Sequence, residues 1–233
     1  MSYKLFTLIL FYYFSIGYSQ SNKAENILSI VKDNYEKNIP YKINIEYKYA
    51  EKVSDNNQII SKKGKIIVDK NLYYSKIDKI EQLYIDNKII TLDNNNKLVY
   101  YNNSNRNINN FIFNFNLLYK YYKINKVSED DDNWIIELKV LDKSELAFDK
   151  IIYIINKRTY QVKEERIYFP KFQLKSEGVK KKYTVLTVVF SKLQKLSSDD
   201  KKYISSIKKY IHIYKGKVYL DKYLTNKKYK LIK

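Results

Sequence analysis

The chain has 233 residues, 45% hydrophobic and 16% aromatic, with 44 Lys+Arg against 25 Asp+Glu and a formal net charge of +19. That length and apolar content exclude a disordered chain and suit one large domain with a real core. With no Cys and one His, a disulfide framework, a thiol nucleophile, a lipobox cysteine and a multi-imidazole metal site are all excluded.

The positive charge alone would suggest a polyanionic partner. Lys is dispersed over the whole chain, however, and Arg occurs only at Arg106, Arg158 and Arg166. Arg is the residue that forks phosphate and reads bases, so a solvated basic surface with no specific nucleic-acid partner is expected. The abundance of Lys, Asn, Ile and Tyr fits an A/T-rich coding bias.

At the N-terminus, Lys4 precedes the apolar run Leu5–Ile16 and then Gly17-Tyr18-Ser19. A basic start, a short apolar run and small residues at −3 and −1 read as a signal peptide over residues 1–19, cut after Ser19. The run falls short of the roughly 20 apolar residues of a membrane span, though an uncleaved anchor is the alternative. The remainder, residues 20–233, is expected as a single exported domain.

Asn22 with Glu25 three residues on resembles a capping box, and Ala24, Ile27, Leu28, Val31 and Tyr35 recur at helical spacing until Pro40. From Tyr41 the period changes to two. Tyr41, Ile43, Ile45, Tyr47 and Tyr49 alternate with polar residues, which puts them on one face of a strand. Short strand-like runs follow at Lys65–Asp69, Leu72–Ile77, Gln82–Ile85, Ile89–Leu92 and Leu98–Tyr101. The Asn- and Asp-rich breaks between them read as hairpin turns, so this part is an antiparallel meander.

Asn107–Tyr122 carries an apolar stripe of Ile108, Phe111, Ile112, Phe115, Leu118, Tyr119 and Tyr122, but Phe113, Leu117 and Tyr121 lie elsewhere on the wheel. Its length favours a helix buried on more than one side over the competing alternating strand. Glu129–Asp132 reads as an exposed hairpin tip, lacking the spacing of a calcium loop. Trp134–Leu141, Lys150–Ile155, Gln161–Phe169 and Lys182–Leu196 read as four more strands, the last apolar on both faces and so central. Ser198-Asp199-Asp200 would cap a third helix reaching Lys209, with Tyr203, Ile204 and Ile207 inward. The tail from Tyr210 has one or two strand-like pieces.

Reactive constellations are missing. His212 sits alone in the alternating run Tyr210–Tyr214, and Glu164 and Glu165 are neighbours on a strand and so face opposite ways. Four glycines at Gly17, Gly64, Gly178 and Gly216 cannot build a phosphate loop. Neither an enzyme nor a cofactor is expected.

A family resemblance rests on residues 24–196, and most of all on Gly64–Tyr101. Gly64-Lys65-Ile66-Ile67-Val68 followed by Leu72-Tyr73-Tyr74 is similar to the glycine-led strand and next hairpin strand of the LolA-like family of periplasmic lipoprotein carriers. Asp86-Asn87-Lys88-Ile89-Ile90-Thr91-Leu92-Asp93 with Lys97-Leu98-Val99 resembles its D-G-K-x-L-W-x-Y-D-P … K-Q-V stretch, with Asn87 in place of the Gly. Ile151–Ile155, Asn156-Lys157-Arg158-Thr159 and Val162–Ile167 resemble its later hairpin.

The resemblance implies an α+β fold: an incomplete antiparallel β-barrel, a curved sheet of about ten strands, with helices covering the concave face. It implies a periplasmic, monomeric carrier that binds the acyl chains of a lipid or lipoprotein in an apolar cavity. Inner-membrane donor and outer-membrane acceptor proteins would be its partners. The lining would be Tyr41, Ile43, Ile45, Tyr47 and Tyr49, with Phe111, Phe115 and Leu118 as the lid; equally, these side chains could fill a closed core. The rival is an envelope interaction or sensor module on the same scaffold with a filled cavity.

Overall fold

The computed structural model describes residues 21–50, 60–85, 87–103, 113, 115–141, 148–169, 185–207, 210–214 and 217–232. The expected leader and its cleavage site lie outside these residues.

Helix α1 covers residues 21–37. Its inward stripe is the one the spacing predicts: Ala24, Ile27, Leu28, Val31 and Tyr35 are all at most 4% exposed. Asn22 does not cap it, because the helix is already under way at Ser21, whose Oγ donates to Glu25 Oε1 at 3.1 Å.

The meander follows as β1 (Tyr41–Ala50), β2 (Ile60–Asp69), β3 (Leu72–Ile77), β4 (Ile80–Ile85), β5 (Lys88–Asp93) and β6 (Leu98–Asn103). Its turns are made as the Asn and Asp clusters require. Asp93 Oδ1 accepts from the backbone N–H groups of Asn95 and Asn96 at 2.9 and 3.0 Å. Asn87 takes a left-handed φ of 59°, the conformation for which glycine stands in the family motif.

Then come α2 (Phe115–Leu118), β7 (Tyr122–Glu129), β8 (Asn133–Val140), β9 (Lys150–Asn156), β10 (Val162–Tyr168) and β11 (Val185–Phe190). The tail forms α3 (Ser198–Ile207), β12 (Ile211–Tyr214), β13 (Lys217–Leu220), α4 (Lys222–Asn226) and β14 (Lys230–Ile232). The long helix expected over Asn107–Tyr122 is corrected where the structure describes it. Only Phe115–Leu118 is helical, and Tyr122 already begins a strand.

Twelve strands form one sheet in the order β14-β6-β5-β4-β3-β2-β1-β11-β10-β9-β8-β7, and β12-β13 form a separate ribbon. The large sheet is open, ending at β14 and β7, as an incomplete barrel requires. The two strands beyond the expected ten are β7 and β14, and β14 pairs parallel to β6, whereas the hairpin pairs from β2 to β6 and from β7 to β11 are antiparallel.

The chain forms two compact units. One comprises residues up to Lys37, Lys48–Ile60 and Asn114–Val189; the other comprises Asn38–Tyr47, Ser61–Phe113 and Phe190–Lys233. In the first, β7–β10 carry an apolar face in which Ile136, Leu138, Ile151, Tyr153, Ile155 and Val162 are at most 3% exposed. Helix α1 is fastened to it: the Val162 N–H donates to Tyr35 Oη at 3.2 Å, and Asn34 Nδ2 donates to the Thr159 carbonyl at 2.9 Å. In the second, one face of the meander gathers Ile67, Leu72, Tyr74, Leu83, Ile90, Leu92 and Val99. Ile204 of α3 and Leu224 of α4 close this cluster, so the tail is a core element of its unit.

Candidate functional site

The lining expected on β1 is graded along the strand. Tyr41, Ile43 and Ile45 are 3%, 0% and 3% exposed, whereas Tyr47 and Tyr49 on the same row are only partly buried. Asn44 between Ile43 and Ile45 faces water, so the two-residue alternation holds over Tyr41–Ile45, while Glu46 to Tyr49 are all partly buried and Ala50 is buried.

Of the expected lid, Phe111 lies outside the described residues. Phe115 and Leu118 belong to α2 of the first unit, Phe115 buried and Leu118 partly so. The Phe115 ring meets Tyr153 of β9 edge-on, with centroids 5.6 Å apart and an interplanar angle of 89°. This is a favoured aromatic geometry, and it gives α2 its seat in the first unit.

Tyr153 leads to a group that the sequence reading left unused. Glu165 of β10 stands opposite Tyr153 on one side and Val188 of β11 on the other. The Tyr153 hydroxyl bonds to the Glu165 carboxyl. Burial pushes that carboxyl above the ordinary glutamate value, and the bond from Tyr153 offsets this only in part. Burial likewise pushes the Tyr153 hydroxyl up, with the Glu165 charge next in importance. Its neighbour Glu164 points the other way and is held by the Arg166 guanidinium. The Tyr119 and Tyr122 hydroxyls lie close enough to act on Tyr153 electrostatically. Tyr122 Oη donates to the Phe148 carbonyl at 3.2 Å, but the buried Tyr119 hydroxyl has no hydrogen-bond partner among the described residues.

The second unit holds a saturated polar cluster. The buried Glu81 carboxylate accepts from Tyr203 Oη at 2.7 Å, Lys76 Nζ at 2.9 Å, Tyr74 Oη at 3.1 Å and Asn94 Nδ2 at 3.2 Å. Burial pushes its pKa up, yet the bonds from Tyr203 and Lys76 outweigh that and hold it below the ordinary value. With its lone pairs taken, Glu81 ties α3 to the meander and has no capacity left for acid–base work.

A groove of about 350 Å³ runs between α1 and the β9–β10 turn, lined by Ile30, Asp33, Asn34, Lys37, Arg158, Thr159 and Tyr160. Its polar walls suit no acyl chain. His212 is exposed, with Nε2 3.3 Å from Asp221 Oδ2. Among the described residues no cluster of His, Asp and Glu could hold a metal ion, and no helix is long and apolar enough to cross a membrane.

These features define a class: an open, mainly antiparallel sheet protein whose units each have an apolar sheet face partly covered by helix. No family model matches the sequence, and no curated protein matches it. Solved structures similar to this chain include a LolA superfamily protein from Nitrosomonas europaea, at 12% identity, covering 78% of this chain and 96% of that one, with a TM-score of 0.37. They also include the lipoprotein LppX from Mycobacterium tuberculosis, at 9% identity, 75% and 98% coverage and a TM-score of 0.40. A chain of the MucA/MucB complex from Pseudomonas aeruginosa is similar at 10% identity, 76% and 59% coverage and a TM-score of 0.43. At such identities the likeness concerns the fold alone.

Proposed function

We propose that this protein binds the acyl chain of a lipid or lipoprotein on the apolar row of β1 and carries it through the periplasm towards the outer membrane. The observation that supports this best is the gradient along that row. Tyr41, Ile43 and Ile45 are closed off, and the same row continues into the partly accessible rings of Tyr47 and Tyr49. An apolar strip that runs from core to accessible surface gains by being covered, and each methylene laid on it contributes about 0.8 kcal/mol. The role needs no catalysis, cofactor or metal. It does need a membrane donor and an acceptor, and a monomer suffices.

The test is identification of co-purified lipid by mass spectrometry, followed by uptake of a fluorescent fatty acid by the delipidated protein. Saturable uptake supports the carrier reading. A folded protein that arrives without lipid and takes up no probe removes it.

A second reading is favoured by one observation of its own. In the second unit α3 and α4 fill the apolar face of the meander with Ile204 and Leu224. A face filled by the chain itself suits an envelope interaction module, which would bind a protein partner and no lipid.

A further inference from the structure

The β8–β10 face of the first unit is apolar except at one place. Ile136, Leu138, Ile151 and Ile155 on this face are at most 3% exposed, and Glu165 stands among them with Val188 and Ile167 beside it. A carboxyl on such a wall is costly when ionised unless a cation meets it. Among the described residues no Lys or Arg forms an ion pair with Glu165, although the chain carries 44 Lys and Arg residues in all. Among the described residues its hydrogen-bond partner is the Tyr153 hydroxyl, which leaves most of the carboxylate's acceptor capacity unused. Near Tyr153 the Tyr119 hydroxyl is buried without a partner, a second unmet polar group in the same place. Phe115 of α2 packs edge-on against Tyr153.

A half-buried acceptor and a buried hydroxyl without a hydrogen-bond partner among the described residues, both beside an apolar wall, call for a ligand head with several N–H donors and one positive charge. We propose that Glu165, flanked by Tyr153 and Tyr119, receives the protonated primary amine of an amphiphile whose chain lies along the apolar β8–β10 face of the same unit. The inference rests on the acyl-binding reading and names the chemistry of the cargo's polar end. It runs against the global charge of the molecule. A net charge of +19 repels ammonium and attracts carboxylate at long range, so a preference for amine must come from a local group.

The test uses the delipidated full chain and three single-chain probes below their micellar concentrations: dodecylamine, dodecanol and dodecanoate. Each competes against a fluorescent acyl probe at neutral pH and physiological salt. Dodecylamine is expected to displace the probe at a concentration at least about tenfold below that of dodecanol, with dodecanoate weakest. Glu165→Gln should bring amine down to the level of alcohol while leaving dodecanol unchanged. Tyr119→Phe should lower the amine-to-alcohol ratio several-fold, a readout that a purely structural role would not move. Equal displacement by amine and alcohol in the wild type overturns the proposal while leaving acyl binding standing. So does a preference that survives Glu165→Gln. If the fluorescent acyl probe itself never binds, the acyl reading falls and this inference falls with it.

Discussion

The hydroxyl of Tyr203 on α3 donates to Glu81 on β4 at 2.7 Å, across 122 positions of sequence. The bond joins the tail to the meander at the point where four donors converge on one buried carboxylate. Tyr203 also meets Tyr74, with hydroxyls 2.9 Å apart and rings edge-on at 5.5 Å. Tyr203→Phe should keep the ring contact and lose the bond, costing about 1–2 kcal/mol in urea unfolding. Glu81→Ala should cost more, about 2–3 kcal/mol, because Lys76, Tyr74 and Tyr203 all lose their acceptor while Lys76 recovers some hydration. Equal stability of both variants and the wild type would show that the tail is held by Ile204 and Leu224 alone.

Acid should loosen this unit before it affects helices held by apolar contacts. Burial pushes the Asp200 carboxyl up, but bonds from Lys42 and Ser197 overcome this and hold it at about 2, against an ordinary 3.8. Glu81 is also held below its ordinary 4.5. Carboxyls whose folded values are depressed give stability that is full above the unfolded values and is lost as pH falls through the folded ones. The urea midpoint should therefore fall below about pH 4.5, and Asp200→Asn should flatten the lower part of that fall, between about pH 4 and pH 2. An Asp200→Asn profile parallel to that of the wild type would contradict the assignment.

Gly64 has no room to change. A Cβ there would lie 2.4 Å from the Lys76 carbonyl oxygen, a backbone atom of the paired strand β3, and 3.2 Å from both Ile45 and Ile77. Gly64→Ala should push β2 from β3 and cost about 1–3 kcal/mol, read as a drop in melting temperature. An unchanged melting temperature would mean that the two strands separate freely at this point.

Acyl uptake can be separated from folding on β1 itself. Ile45 and Phe115 are each 3% exposed, so a charge at either would threaten the core. Tyr47 and Tyr49 are partly accessible on the same strand and are better places to test. Tyr47→Asp and Tyr49→Asp should each weaken fatty-acid uptake at least about tenfold with an unchanged circular dichroism spectrum, since a charge on an apolar binding surface must be desolvated. Undiminished uptake by both folded variants would move the site off this row.

The helix α1 and the meander were legible because each obeys one period and is closed by a strong stop: Pro40 for the helix, Asn and Asp for the turns. The Asn107–Tyr122 run was not legible, since its Ile, Leu, Phe and Tyr residues satisfy both periods at once. The tail was obscure for another reason. The burial of Ile204 and Leu224 depends on a face built more than a hundred residues earlier, which no local period reports. Glu165 was hidden by a single irregularity. Alternation from buried Val162 would put Glu164 inward, but the ladder shifts between Val162 and Glu164, and the bulge turns Glu165 towards Tyr153 instead. The β1 row was found from its alternation, and its grading from closed to accessible became visible only with the whole sheet in place.

The parallel seat of β14 on β6 bears on how the protein survives at high concentration. Without it, Leu98, Val99 and Tyr100 would offer a row of unpaired amides and carbonyls beside apolar side chains, a template for another chain. Lys230, Leu231 and Ile232 occupy that edge and replace it with one only three residues long that begins with a lysine. Short, charged edges are poor seeds for cross-β growth. Ile232→Pro, which would spoil the cover without touching the core, should raise thioflavin-positive aggregation before it lowers the melting temperature.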